Sequence, residues 1–202
     1  MRPSLPQGLY AIADASLCEP VAWGTALAAA GCSVIQLRAK AWESSRVHEA
    51  ATSLRATTAQ YGALLIINDH PEIALEVGAD GVHLGQDDAD PCGVRRMLPD
   101  GLIGLSTHNI DQIRACPETV DYIGFGPVFS TQTKEQAGIP RGLDLLRQAV
   151  TASPLPVVAI GGITAANLAH VRATQTHSWA VASALHGYAD AAGAIRAMHL
   201  RP

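Results

Sequence analysis

Asp121-Tyr-Ile-Gly-Phe-Gly-Pro-Val-Phe129 is an almost wholly apolar run that opens into a polar loop, Ser130-Thr131-Gln132-Thr133-Lys134. A run of this kind, without polar alternation, reads as a strand covered on both faces, the habit of parallel sheets. The abrupt turn to polarity at a strand end is where α/β proteins place their chemistry. Thr131 and Thr133 flank one residue and can reach the same anion, and Lys134 adds compact positive charge. A solvated loop with a surface lysine has the same composition, so its neighbours must decide.

Outward from this stretch the pattern repeats along the chain. Leu9–Ala13, Ser33–Leu37, Ala63–Ile67, Gly81–Leu84, Leu102–Leu105, Asp121–Phe125, Pro156–Ile160 and Ser178–Val181 are short, mostly apolar and rich in β-branched residues. Each is followed by an Ala-rich stretch of helical period: Val21–Ala30, Ser44–Gln60, Pro71–Val77, Asp90–Leu98, Ile110–Ala115, Leu143–Thr151, Ala165–Ala173 and Ala191–Met198. Gly, Pro, Asp and Asn punctuate the joins, and Asn109 and Thr164 read as helix N-caps. Eight strand–helix units in one domain spanning 1–202 predict an α/β (β/α)8 TIM barrel, with a doubly wound open sheet as the alternative.

Bulk properties agree with one well-buried domain. The 202 residues are 48% hydrophobic and 16% charged, which favours a large core over disorder. A net charge of −4 attracts neither nucleic acid nor an anionic membrane, so any anion site is local. No apolar run approaches the roughly 18–20 residues of a membrane span, and the N-terminus does not read as a signal peptide. Cys18, Cys32, Cys92 and Cys116 are scattered, without a C-x-x-C pair, which suggests reduced thiols in the cytoplasm.

In a barrel the chemistry gathers where strands end. Those ends read Gln36-Leu-Arg38-Ala-Lys40, Asn68-Asp69, His83-Leu-Gly-Gln-Asp-Asp88, Ser106-Thr-His108, the Thr131/Thr133/Lys134 loop, Gly161-Gly-Ile-Thr164 and Ala182-Ser183. Asp69 and Asp88 are hard oxygen donors from adjacent units, and two carboxylates with substrate phosphates are a usual setting for Mg2+. Each also fits a cap or a turn. Arg38, Lys40 and Lys134 suit a doubly charged or pyrophosphate group, or surface ion pairs of little energy. Gly161-Gly162 before a helix suits a phosphate, or turn geometry alone. His83 and His108 fit rim histidines as well as ligand contacts. No zinc spacing, G-x-S-x-G elbow or G-x-G-x-x-G loop occurs.

With these residues quoted, the chain resembles the thiamine phosphate synthase (thiamine-phosphate pyrophosphorylase) family over nearly its whole length. Leu9-Tyr10, Gln36–Lys40, Ile66–Asp69, Gly78–Gln86, Ser106–His108, Asp121–Phe129 with its Thr-x-Thr-Lys, and Ala159–Thr164 carry the resemblance. It implies a transferase that joins an aminopyrimidine methyl pyrophosphate to a thiazole phosphate with Mg2+, releasing pyrophosphate. By that resemblance Arg38, Lys40, Asn68 and Lys134 hold pyrophosphate, and Asp69 and Asp88 ligate Mg2+. Gln36, His83 and Ser106 line the pyrimidine site. Thr131 and Thr133 hold the thiazole phosphate or the adjoining pyrophosphate, and Gly161, Gly162, Ala182 and Ser183 line the thiazole-phosphate site. Small-molecule partners are implied, and a homodimer is left open.

Three places depart from the family pattern. Ala39 replaces an acidic residue, Glu135–Gly142 is similar to thiazole tautomerase relatives, and Ala173–Trp179 lacks a Gly-Ala-Asp. Two alternatives follow: a metal-independent tautomerase using His108 or His83 as acid/base, and a non-catalytic binder of thiazole or thiamine phosphate.

Overall fold

The structure, a computed structural model, describes residues 2–131 and 138–199. Eight parallel strands close on themselves: β1 (Gly8–Asp14), β2 (Val34–Arg38), β3 (Leu64–Asn68), β4 (Gly81–Leu84), β5 (Leu102–Thr107), β6 (Tyr122–Phe125), β7 (Val157–Ile160) and β8 (Ser178–Val181). The pairing of β8 with β1, Leu9 opposite Trp179 and Ala11 opposite Val181, removes the open-sheet alternative. The helices between them are α1 (Pro20–Ala29), α2 (Ser44–Tyr61), α3 (Pro71–Glu76), α4 (Pro91–Met97), α5 (Ile110–Arg114), α6 (Gly142–Ala152) and α7 (Leu168–Arg172), and α8 (Ala191–His199) closes the chain.

Strand residues lack polar alternation because both faces are covered. One parity packs into the barrel: Tyr10, Ile12, Val34, Ile66, Leu102, Tyr122, Val158 and Ala180 form an inner core, with Leu5 completing it. The other parity, among it Leu9, Ile35, Leu65, Ile67, Ile103 and Ile123, packs under the helices. Burying each large side chain contributes roughly 1.5–3 kcal/mol. His177 Nε2 donates to Leu5 O at 3.0 Å and Ser178 Oγ to Pro6 O at 3.0 Å, which ties the N-terminal segment to the barrel.

Local chemistry starts and stops the helices. Glu19 accepts from Val21 N and Ala22 N ahead of Pro20, and Asp90 accepts from Cys92 N and Gly93 N ahead of Pro91. Asn109 caps α5 as predicted, accepting from Gln112 N at 2.8 Å. Thr164 does not cap α7. Asn167 Oδ1 accepts from Thr164 N at 2.9 Å and Leu168 N donates to Thr164 O at 3.0 Å, but the residues between form a turn and the helix begins at Leu168. A 3-10 turn, Ser183–Gly187, follows β8 and was not predicted.

At the N-terminal end of the strands Arg95 knits the loops. Its guanidinium donates to Leu98 O, Gly101 O and Thr119 O and to the Asp121 carboxylate. Asp121 in turn accepts from Ile103 N at 2.7 Å. Both anchor the end opposite the cavity.

Candidate active site at the carboxyl ends of the strands

The last residues of several strands are polar: Asp14, Arg38, Asn68 and Thr107 end β1, β2, β3 and β5. They surround a cavity of about 190 Å³. Gln36, Arg38, Asn68, His83, Ser106, Thr131, Gly161, Gly162, Ala182 and Ser183 all line it, and so does His108. The structure therefore brings together most of the predicted set. Thr133 and Lys134 lie outside the described residues.

Arg38 does not stand alone. Its Nη1 contacts Asp14 Oδ2, and the two side chains are 13% and 3% exposed. Asp14 Oδ1 also accepts from Ser16 N at 2.9 Å and Ser16 Oγ at 2.7 Å. Asp14 and Arg38 are register partners on β1 and β2, so the pair is fixed by strand alignment. A buried carboxylate with these bonds holds the guanidinium in one orientation at the cavity wall.

Lys40, Asp69 and Asp88 come together beyond the ends of β2, β3 and β4 but do not line this cavity. Lys40 Nζ lies 2.9 Å from Asp69 Oδ2. Asp69 has a left-handed backbone, φ +65°, a conformation that Asp tolerates better than most residues. Burial raises the Asp69 pKa, a hydrogen bond to Asp88 raises it further, and Lys40 pulls against both. Asp88 Oδ2 accepts from Gly85 N at 2.6 Å. Two carboxylates in contact beside one ammonium are hard oxygen donors, and a hard divalent cation fits that donor set. No cluster of three His, Cys, Asp or Glu occurs among the described residues.

The glycine pair has the turn geometry that the sequence suggested. Gly161 and Gly162 have φ +100° and +64°. A Cβ on Gly162 would lie 2.4 Å from Ser130 O, and one on Gly161 2.5 Å from Pro127 Cβ. The pair therefore serves close approach of the segments after β6 and β7, where Phe129 N donates to Gly161 O at 3.0 Å. The same geometry exposes bare backbone to the cavity.

The cavity also has a polar floor, of which the sequence announces only part. Gln36 Nε2 donates to Tyr10 Oη at 2.9 Å, and Tyr10 Oη lies 2.9 Å from Tyr122 Oη. Tyr122 Oη lies 3.3 Å from His83 Nδ1, whose Nε2 is 3.0 Å from Ser106 Oγ. His108 has another environment: its Nδ1 lies 2.7 Å from Gly126 O, so that nitrogen carries the proton and donates.

A family model described as Thiamine monophosphate synthase matches residues 9–185. The chain belongs to this family. The thiamine-phosphate synthase of Laribacter hongkongensis is 39% identical over 204 residues, covering 98% of this chain and 97% of that one. That of Chloroflexus aurantiacus is 40% identical over 192 residues, covering 93% and 89%. Among solved structures, a thiamine phosphate pyrophosphorylase from Pyrococcus furiosus superposes with a TM-score of 0.87 at 33% identity, covering 95% and 93%.

Within a thiamine monophosphate synthase barrel, the residues missed by sequence are Asp14, Tyr10 and Tyr122. The two tyrosines sit inside apolar runs and read as core. Strand parity was the available signal: Tyr10, Ile12 and Asp14 alternate onto one face, and that face is the barrel interior.

Proposed function

We propose that the chain couples 4-amino-2-methyl-5-hydroxymethylpyrimidine pyrophosphate to thiazole phosphate, giving thiamine phosphate and pyrophosphate. The observation that carries this reading is the layout of the cavity. Asp14, Arg38 and Asn68, bare glycine backbone at Gly161 and Gly162 and a hydrogen-bonding floor line it, and the Lys40–Asp69–Asp88 group lies just beyond the ends of β2, β3 and β4 without lining it. That layout suits two anionic substrates held face to face. The family relatives support the same activity.

In this reading the C–O bond to pyrophosphate ionises and its electron pair leaves with the pyrophosphate. The thiazole nitrogen then donates its lone pair to the methylene cation, forming the new C–N bond. Arg38, Lys40 and Asn68 stabilise charge as it develops on the leaving group, with Lys134 added from the family motif; such preorganised donors are each worth about 10²–10³ in rate. When bound between Asp69 and Asp88, Mg2+ supplies further charge neutralisation to the pyrophosphate oxygens. Gln36, His83 and Ser106 orient the pyrimidine. Gly161, Gly162, Ala182 and Ser183 hold the thiazole phosphate, with Thr131 and, by motif, Thr133 between the two anions. Holding both rings in register contributes up to roughly 7–11 kcal/mol in well-oriented systems. No proton transfer is required, which matches a site of cations and donors. The free cysteines suit a reducing, cytoplasmic setting.

The test is product analysis with both substrates present. Thiamine phosphate formed in proportion to pyrophosphate supports the coupling. Isomerised thiazole with no coupled product would instead assign the tautomerase chemistry.

A further inference from the structure

Five polar side chains from five strands meet in the barrel interior. Gln36 on β2, Tyr10 on β1, Tyr122 on β6, His83 on β4 and Ser106 on β5 are joined by contacts of 2.9, 2.9, 3.3 and 3.0 Å. The contacts form a continuous path from Gln36 to Ser106, and the cavity touches every member.

The backbone is shaped to admit that path. His83, Gly104 and Tyr122 are register neighbours across β4, β5 and β6. A Cβ on Gly104 would lie 2.2 Å from Tyr122 Cζ and 2.5 Å from His83 Nδ1. Gly104 therefore opens the slot through which the imidazole and phenol meet over the intervening strand. Their rings are 5.6 Å apart, and the two tyrosine rings 6.1 Å.

We infer that this path is a single hydrogen-bond chain with one proton order, and that Tyr10 and Tyr122 are positioning residues which set the hydrogen-bonding edge offered to the pyrimidine. The order follows from the donor at one end. The Gln36 amide N–H donates to Tyr10, Tyr10 donates to Tyr122, and Tyr122 donates to His83 Nδ1. His83 then has its proton on Nε2 and donates to Ser106 Oγ. This leaves an acceptor, Gln36 Oε1, at one end and a donor, the Ser106 hydroxyl, at the other. Burial holds both phenols well above their ordinary pKa, so both remain O–H donors. An acceptor and a donor facing one cavity complement a ring whose amino group donates beside a ring nitrogen that accepts. A hydroxypyrimidine tautomer that presents N–H and C=O at those positions has the opposite polarity and is rejected. A site built to hydrogen-bond discriminates strongly, because the wrong ligand leaves its buried groups unpaired.

The inference rests on the proposed coupling reaction for its ligand, and two readouts separate the two claims. The first is ¹⁵N NMR of histidine-labelled wild-type protein without substrate. His83 is expected as the neutral Nε2–H tautomer with Nδ1 accepting, and Tyr122→Phe should move the Nδ1 resonance toward that of an unbonded nitrogen. An Nδ1–H tautomer in the wild type overturns the proton order, whatever the enzyme catalyses. The second is steady-state kinetics of Tyr10→Phe and Tyr122→Phe, each checked by its melting temperature. KM for the aminopyrimidine pyrophosphate should rise about tenfold, roughly the value of one lost hydrogen bond, while KM for the thiazole phosphate stays within twofold. Preference for the amino over the 4-hydroxy analogue should fall by a similar factor. Folded variants with unchanged preference would overturn the positioning role. A wild type that forms no thiamine phosphate would overturn the coupling reaction and leave the NMR result to decide the chain.

Discussion

Arg38 and Asp14 are paired side by side at the ends of β2 and β1, and the carboxylate is the more buried partner, at 3% exposure against 13%. Asp14 keeps two bonds from Ser16 besides the one from Arg38. Removing one partner of a buried pair typically costs about 3–5 kcal/mol, because the other charge is left uncompensated. Arg38→Met should fall near the low end of that range, since Ser16 still serves the carboxylate. Asp14→Asn keeps the shape but frees the guanidinium. We expect kcat/KM to fall tenfold or more with a smaller drop in melting temperature, measured by steady-state kinetics and thermal denaturation.

Asp69→Asn should separate function from stability. The Asp69 pKa lies above its ordinary value through burial first and the contact with Asp88 next. A raised carboxylate pKa means the folded state binds the proton more tightly than the unfolded one. Stability therefore falls as pH rises from the unfolded to the folded pKa, and the charged form is a net cost above both. Asn carries no such cost and accepts the φ of +65° at this position. The lost ion pair with Lys40 matters little, because that side chain is 48% exposed. In metal-free buffer at pH 7 the variant should melt at or above the wild-type temperature while losing Mg2+-dependent turnover. A lower melting temperature with turnover retained would make Asp69 a structural residue.

Gly162→Ala should damage the thiazole-phosphate side. Its Cβ would meet Ser130 O at 2.4 Å on a backbone of φ +64°. Left-handed strain on a residue with a side chain costs about 1–3 kcal/mol, and relief requires the loop after β7 to move. KM for thiazole phosphate should rise more than KM for the pyrimidine substrate, as initial rates with each substrate varied in turn would show.

Arg95→Met tests the opposite end. It strips donors from Leu98 O, Gly101 O and Thr119 O and leaves the Asp121 carboxylate to the more exposed Arg2 and to Ile103 N. The melting temperature should fall by several degrees, while kcat/KM at a temperature where the variant is folded should match the wild type.

The barrel was legible because strands buried on both faces cannot hide. Ala63–Ile67 and Pro156–Ile160 have no polar alternation, and the structure places both within a residue of their predicted bounds. The strand ends were read short for a physical reason. Asp14, Arg38, Asn68 and Thr107 continue the ladder although they are polar, because the barrel interior above them opens into the cavity. A reading that closes each strand at its first polar residue loses them. Gln36, His83 and Ser106 were found because they stand in or beside the strand ends, and their roles came from the family resemblance. Tyr10 and Tyr122 were missed because a phenol in a strand looks like core until its hydroxyl is given a partner. Asp14 was missed because nothing local announces Arg38, which lies twenty-four residues away. The early start assigned to α7 at Ala165 did not hold, because Ala165–Asn167 form a turn and the helix starts at Leu168.

In the proposed reaction the cavity couples two anionic substrates through a metal-assisted loss of pyrophosphate. Pyrophosphate release measured with both substrates, in Mg2+ and again after EDTA, tests it most directly. We expect release only when both substrates and Mg2+ are present, abolished by EDTA and restored by added Mg2+. Release at an undiminished rate in EDTA, or none under any of these conditions, would contradict it.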